Sequence, residues 1–475
     1  MSAELRKPVL RSINGHNLLG FFGLMLISLI YFLLQDHLQF YAFNILTLIF
    51  VFACLALALQ LAVTETARSS KGQANNSSYV LYLAYLMTIL AFHFSLLPTF
   101  IIDERDIYFT LNSWYYDFDG VRGAYIAAVL FLIGYVAAGF FPQFWRRGSN
   151  PQTKKEKQAL SEGWEYVFIT LFLGTTWIVV FIFVLKITNY TQFYSLPAWA
   201  LNLEIFLYPA IWASLFYGCT QSIRWRYILA AFAPWAAMAF FAGMRGPVLF
   251  PTLMTLAALQ QQGRLKYNPL YVVVACVLVL YASSFVFYFR VGAQFDEALS
   301  LASPFRELAE LGGSLRPVYD TAGWLSKGVD HLRFGATYWA PFERTYFLFL
   351  PFVERVSAVL DDRLTPGLMD QRSGAYGYSV VAEALLNFGY IGCALVGAGI
   401  GTFFRALGSS LRSGNIALIG ASIGAGLFFH IRQGFVGAFG LAAIVFVTFL
   451  VLRSISSLWS KNRNSFSRGP ARCKL

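Results

Sequence analysis

Long runs of apolar residues recur along the whole chain and constrain its fold more than any other feature. A helix that crosses a bilayer needs about 20 predominantly apolar residues. With 57% hydrophobic and only 13% charged residues, the chain is predicted to be an all-α polytopic membrane protein. The sequence predicts twelve spans, at 17–34, 41–64, 79–101, 123–143, 165–186, 197–219, 227–242, 247–260, 270–290, 378–401, 415–430 and 435–452.

The basic residues are distributed unevenly between the predicted spans. The chain holds 36 lysine and arginine residues and a net charge of +12, and most of the basic residues lie in alternate interspan segments and at the two ends. The short segments on the other side hold Arg105, Arg122, Arg245 and Arg432. The positive-inside rule therefore places both termini in the cytoplasm. Since topology explains the charge, we expect no nucleic-acid partner, and since no small-residue cleavage site follows the first run, we expect it to remain as a span.

One long polar segment divides the chain. We predict transmembrane spans 1–9 in residues 1–290, an extracytoplasmic segment at 291–377, spans 10–12 in 378–452 and a basic cytoplasmic tail at 453–475. Apolar residues recur at helical spacing in LSLASPFRELAELGG and FERTYFLFLPFVERVSAVLDD within the polar segment. This spacing predicts two or three amphipathic helices that cap the spans. The tail carries no acid and is expected to contact anionic membrane lipids.

The predicted span at 378–401 contains a carboxylate. Glu383 and Asn387 lie in its first turns, and a glycine-rich stretch follows them. A carboxylate in a span is costly unless it meets a partner or faces water. Glu383 is therefore a candidate site residue in the outer half of this span.

Arginines collect on the outer face, where the topology rule disfavours them. Arg245 lies in the tight hairpin Gly-Met-Arg-Gly-Pro, Arg290 ends the ninth span, and Arg432 follows His430 in the last outer turn. The rigid fork of arginine matches phosphate oxygens, so an anionic head group is the expected ligand. Two arginines of the long segment, Arg333 and Arg344, are predicted to join them. The alternatives are arginines that snorkel to lipid phosphate and a histidine that is only an interface residue.

The outer loop at 102–122 combines acids with aromatic residues. Such a loop could bind a sugar, but an interfacial aromatic belt is the favoured interpretation. The chain shows no P-loop, no zinc-ligand spacing, no CxxC pair and no Ser-His-Asp arrangement. The adjacent acids Asp103–Glu104 and Asp361–Asp362 are typical of solvated loops. We therefore expect neither a metal nor a cofactor.

The stretch YSVVAEALLNFGYIGCALVGAGIG carries a recognisable pattern of a small residue, a glutamate, an Asn-Phe-Gly and a second glycine. Its members are Ser379, Glu383, Asn387, Phe388, Gly389 and Gly392. This pattern resembles the late span of Wzy-type O-antigen and oligosaccharide repeat-unit polymerases. The hairpin around Arg245 resembles the family's small-x-Arg-Gly hairpin, and the span number and the single late loop are also similar.

The resemblance implies a metal-independent glycosyltransferase in the bacterial inner membrane that acts on the periplasmic face. Undecaprenyl-pyrophosphate-linked glycans would be donor and acceptor, and a chain-length regulator is a further candidate partner. Arginines would hold the phosphates. Glu383 would be the general base, with His430 as second choice, or Glu383 would instead orient an arginine through an ion pair.

Two other functions stay open on the sequence. O-antigen ligases share the span number, the loop position and the periplasmic arginines. A flippase for lipid-linked oligosaccharides would also have many spans, but the long segment at 291–377 fits poorly with a carrier built from packed repeats, and the sequence shows no internal repeat.

Overall fold

The computed structural model describes residues 15–70, 79–104, 107, 113–141, 161–187, 192, 196–266, 269–290, 293–348, 361, 363, 378–410 and 414–467. These residues form helices joined by turns, together with an isolated bridge between Ser161 and Ser222. The all-helical prediction is therefore confirmed for the described part of the chain.

A helix occupies each predicted span. The first nine helices and their bounds are α1 Gly15–Leu34, α2 Phe40–Ser70, α3 Val80–His93, α4 Leu96–Ile102, α5 Phe118–Ala138, α6 Trp164–Trp177, α7 Ala198–Gln221, α8 Trp225–Phe241 and α9 Arg245–Gln261. The remaining ones are α10 Pro269–Arg290, α11 Phe295–Leu301, α12 Pro304–Gly312, α13 Arg316–Ser326, α14 Ala336–Leu348, α15 Val380–Ser410, α16 Gly414–His430 and α17 Phe435–Ser467. Helix α6 continues as a π-helix over Ile178–Val184, and α17 extends beyond the predicted start of the tail.

Seven described helices are long and apolar enough to cross a membrane, and the pair α3 and α4, bent by 51°, counts as an eighth if it forms one span. Helices α8 and α9 have 17 residues each, and the apolar parts of α10 and α16 are also short. The length and composition of these helices show that the chain is a membrane protein. The number of twelve spans stays a prediction.

Helices α5 and α15 pack closely through small residues. A Cβ at Gly134 would collide with the carbonyl oxygen of Ala394, and a Cβ at Gly397 would collide with that of Phe131. A Cβ at Gly401 would lie 2.7 Å from the carbonyl oxygen of Tyr135. Glycines let helix backbones approach where lipid provides no hydrophobic drive for association. The glycines of α15 thus fix it against α5.

Two arginines that the sequence assigns to interspan segments stabilise helix ends. Arg405 donates from Nη1 to the carbonyl oxygen of Ala138 at 2.8 Å, and its guanidinium lies 5.0 Å from the ring centroid of Tyr79. Arg264 donates to the carbonyl oxygen of Cys219 at 2.6 Å. These contacts satisfy carbonyls at the C-terminal ends of α5 and α7 and place positive charge at the negative end of each helix dipole.

Helices α11 to α14, within residues 293–348, form a segment that lies over one end of the bundle. We call this segment the capping segment and this end the loop side. Ser95 donates to the carbonyl oxygen of Leu308 at 2.6 Å, and Tyr319 donates to Asp117 Oδ2 at 2.6 Å. The sequence predicted two or three such helices, and the structure has four in the described residues. Residues 349–360, which belong to the second predicted pattern, are not among the described residues.

The aromatic outer loop differs from the predicted interfacial belt at two residues. Trp114 and Tyr115 are buried in protein. The ring of Trp114 lies 5.3 Å from that of Tyr319, and Tyr115 donates to Asn44 Oδ1 at 2.6 Å. Trp114 therefore packs against the capping segment and Tyr115 bonds to α2, and neither side chain forms part of a lipid-facing belt or an open sugar platform.

Candidate functional site

Helix α15 is not one straight span, because its chain reverses at Gly389. That residue has φ 68° and ψ −164°, outside the helical region. The Cys393 thiol lies 3.8 Å from the carbonyl oxygen of Val381, although a straight helix would separate these residues by about 18 Å. Residues 380–388, the short arm, therefore fold back on residues 390–410, the long arm.

This elbow corrects the prediction of a single span at 378–401. Apolar composition continues through Gly389, so hydropathy alone cannot detect the reversal. Glycine is needed at this backbone conformation because a side chain would be strained there. Glu383 thus lies on a separate short helix packed against the long arm, where protein rather than lipid surrounds it.

Polar groups from three segments converge on the Glu383 carboxylate. Thr337 donates its hydroxyl to Oε1 at 2.6 Å. The backbone N–H of Phe435 donates to Oε2 at 2.7 Å, and His430 Nε2 lies 2.9 Å from the same oxygen. Glu383 is fully buried, with a relative exposure of 0%. Three donors therefore satisfy a carboxylate that would otherwise be too costly to bury.

The capping segment is fastened to the short arm by a strained turn. Phe334 has φ 48° and Gly335 has φ 87°. The backbone N–H of Phe334 donates to the carbonyl oxygen of Asn387 at 2.9 Å, and that of Gly335 donates to Asn387 Oδ1 at 3.0 Å. Asn387 also donates to Thr337 Oγ1 at 2.7 Å. Asn387 consequently holds the hydroxyl that contacts Glu383.

His430 lies at the end of α16 with an exposure of 1%. The ring of Tyr338 meets it edge to face, with the centroids 6.2 Å apart at 87°. When a neutral His430 donates to an ionised Glu383, Nε2 carries the proton between them. Nδ1 then has a free lone pair, and it has no hydrogen-bond partner among the described residues. The pair therefore holds a proton acceptor in a fixed orientation.

The predicted phosphate-binding arginines do not gather at this pair. Arg245 contacts Glu307 at 2.7 Å and Glu310 at 2.9 Å, both on α12 of the capping segment. No contact joins Arg245 to Glu383 or His430 in the described part of the chain. Arg245 consequently anchors the capping segment to the start of α9.

The other predicted arginines occupy varied surroundings. Arg333 pairs with Asp330 at 3.0 Å, and Arg344 pairs with Asp361 at 3.0 Å. Arg432 is half-buried two residues after His430, and no ion pair involves it within the described residues. Arg290 ends α10, and its side chain lies outside the described part. Of the predicted site residues, the structure therefore brings Glu383 and His430 into contact. Arg432 lies two residues after His430 in the sequence.

The comparisons with known proteins identify the family of this chain. The sequence profile of the family described as O-antigen polysaccharide polymerase Wzy matches residues 17–463, nearly the whole chain. The chain belongs to the Wzy family of O-antigen polysaccharide polymerases. No curated protein and no solved structure matches it significantly. Family membership supports a role as an O-antigen polymerase in lipopolysaccharide biosynthesis.

Sequence reasoning missed Thr337 in this Wzy-family protein. A lone threonine in a polar segment carries no signal, and its role follows only from the turn at Phe334 and Gly335. Among the described residues, no group of three or more His, Cys, Asp or Glu side chains is placed so that it could hold a metal ion. Asp362, which the sequence pairs with Asp361, is not among the described residues.

The anchor formed by Arg245 predicts a pH-dependent stability defect in this Wzy-family protein. Burial raises the pKa of Glu307 from 4.5 to about 7. Because the folded-state pKa lies above the unfolded value, Glu307 contributes less stability as pH rises through this window. In Arg245→Leu, Glu307 loses its cation and must bind a proton to stay buried, which adds a loss of about 1.4 kcal/mol for each pH unit above its wild-type pKa. The loss of thermal stability relative to wild type should therefore be larger at pH 8 than at pH 6.

Thermal unfolding of the purified protein at both pH values measures this effect. The double variant Arg245→Leu with Glu307→Gln is the matched control, since it lacks the buried carboxylate and keeps only Glu310, which is 36% exposed, and it should show a much smaller dependence. Equal losses at pH 6 and pH 8 in Arg245→Leu would contradict the assignment of Arg245 as the partner of Glu307.

Proposed function

We propose that this protein joins undecaprenyl-pyrophosphate-linked repeat units on the periplasmic face of the inner membrane. The observation that carries this proposal is the hydrogen-bonded pair of Glu383 and His430, 2.9 Å apart, in a member of the Wzy family. A glycosyl transfer needs a base for the acceptor hydroxyl, and the pair supplies one. The distribution of basic residues supports cytoplasmic termini and a periplasmic position of the loop side.

In the proposed reaction, Nδ1 of His430 accepts the proton of the acceptor hydroxyl. The acceptor hydroxyl oxygen then forms a bond to the anomeric carbon of the donor glycan, while the bond from that carbon to the pyrophosphate oxygen breaks. Undecaprenyl pyrophosphate leaves with the bonding electrons. Glu383 orients the imidazole and stabilises the imidazolium that forms. This assignment reverses the order given by the sequence, because the oxygens of Glu383 already accept three hydrogen bonds, whereas Nδ1 of His430 has no partner among the described residues.

Stabilising charge on the leaving pyrophosphate is the second task of the site. Arg432 suits it best, because it lies in the turn after His430 and has no ion pair among the described residues. Arg290, at the loop-side end of α10, is a further candidate. Arg245, Arg333 and Arg344 already contact carboxylates, so a phosphate would have to displace these partners. We propose a reaction without a metal, and a chain-length regulator remains a proposed partner.

A deletion strain tests the function directly through its lipopolysaccharide pattern on a gel. Loss of the ladder, with a single repeat unit still attached to core, is the result expected for a polymerase. Core alone, with polymer accumulating on the lipid carrier, would indicate a ligase. Core alone with neither polymer nor repeat units exposed in the periplasm would indicate a flippase.

Complementation of that strain tests the role of His430. His430→Gln keeps a polar side chain but loses the basic nitrogen, so chain extension should fall by at least about a hundredfold at an unchanged protein level. His331→Gln is the matched control, because His331 is 81% exposed on the capping segment and should support a normal ladder. A normal ladder with His430→Gln would exclude His430 as the base.

A further inference from the structure

A second arginine site lies away from the Glu383–His430 pair, at Arg306 on α12. Arg306 is only 7% exposed. Its guanidinium carbon lies 4.0 Å from the ring centroid of Phe287 and 4.5 Å from that of Tyr288. Its Nη1 donates to the Tyr288 hydroxyl at 2.9 Å. Two aromatic residues of α10 thus hold the guanidinium at the contact between α10 and α12.

Among the residues that the structure describes, this buried cation has no acid within salt-bridge distance. The Nε of Arg306 also lacks a hydrogen-bond partner among them. The adjacent Glu307 points to Arg245 instead. By contrast, Arg316 on the same segment pairs with Asp320, and Arg333 pairs with Asp330. A buried charge without a counter-ion is unfavourable, and the ring contacts and one neutral hydroxyl offset this only in part.

We propose that Arg306 binds a phosphate oxyanion. The aromatic contacts and the Tyr288 hydroxyl fix the plane of the guanidinium, while Nε keeps an unused donor. A guanidinium held in this way is suited to bidentate recognition of phosphate. A phosphate would supply the negative charge that the described residues around Arg306 lack.

The surroundings indicate a phosphate that belongs to a lipid. Helix α11 exposes Phe295, Leu299 and Leu301, and the ring of Phe295 packs 5.3 Å from that of Phe285 on α10. An exposed apolar surface therefore adjoins the same end of α10 that holds Arg306. A membrane phospholipid and a lipid-linked pyrophosphate share the chemistry required, a phosphate joined to an apolar chain. The site goes beyond the proposed function and does not depend on it.

Binding of inorganic pyrophosphate to the purified full-length protein is the first test. Thermal unfolding at constant ionic strength should show stabilisation of wild type by pyrophosphate, with an affinity weakened at least about tenfold in Arg306→Gln, the loss of one charge-assisted hydrogen bond. Arg306→Lys keeps the charge without the fork and should also bind more weakly, which covers the case in which Arg306→Gln does not fold. Arg316→Gln, on the same segment, is the matched control and should bind like wild type.

Native mass spectrometry of protein extracted from the membrane distinguishes the two sources. Retained phospholipid that is lost in Arg306→Lys would assign the site to a membrane lipid, and retained isoprenoid pyrophosphate would assign it to a lipid-linked glycan carrier. Both results support the proposal. If pyrophosphate fails to stabilise wild type and neither lipid depends on Arg306, the proposal is overturned.

Discussion

Replacing Glu383 by glutamine should abolish O-antigen chain extension while the protein still folds. The carboxylate accepts from Thr337, His430 and the Phe435 N–H, and an amide has one oxygen for these three donors. The imidazole then loses its charged acceptor, and the tautomer with a free Nδ1 is no longer favoured. We expect chain extension to fall by a factor of about a hundred or more, since a charge-assisted hydrogen bond contributes about 1.5–3 kcal/mol and general-base catalysis is lost with it.

The lipopolysaccharide ladder of a complemented deletion strain reads out this effect, and size-exclusion chromatography of the purified variant reports folding. Glu383→Leu should fail in both assays, because it leaves three buried donors unsatisfied at about 1–3 kcal/mol each. Glu165→Gln is the matched control: Glu165 is a buried glutamate of α6 outside the site and should give a normal ladder. Full activity of Glu383→Gln would eliminate the orienting role.

The sequence identified Glu383 and His430 individually but did not predict that they pair. Glu383 stood out because a carboxylate is costly in an apolar run, and His430 because it lies in the last outer turn. Their contact joins residues 47 positions apart and depends on the elbow at Gly389. Hydropathy records which residues are apolar and not the direction of the chain, so one continuous run concealed two antiparallel arms.

For Arg245, the sequence correctly marked an unusual arginine but predicted the wrong partner, a phosphate in place of a carboxylate. An arginine against the charge rule predicted a ligand, and the structure places it on Glu307, 62 residues away. Nothing local marks that acid among the charges of the capping segment. Arg306 gave no signal at all, because its meaning comes from the aromatic rings around it and from the acid that it lacks. The roles of both arginines depend on tertiary contacts, which a single sequence does not reveal.

Gly392→Leu should open the elbow and separate Glu383 from His430. A Cβ at Gly392 would collide with the Cβ of Phe388 and lie 3.1 Å from the carbonyl oxygen of Ala384. Both neighbours belong to the short arm, and neither is the flexible end of a side chain, so the arm itself must move. Overpacking costs about 1–3 kcal/mol, and leucine extends the clash well beyond Cβ. We expect a strong loss of chain extension together with lower thermal stability.

Thiol labelling separates an opened elbow from general unfolding. Cys393 is fully buried between the arms, so in a background without Cys276 and Cys473 it should react with maleimide in Gly392→Leu and not in wild type. Cys54 and Cys219 are buried elsewhere and should stay unreactive if the remaining bundle is intact. Gly399→Leu is the matched control, because no atom lies within 4 Å of a Cβ there, and it should retain the ladder. Gly392→Leu with an unreactive Cys393 and a normal ladder would show that the site does not require the close contact of the two arms.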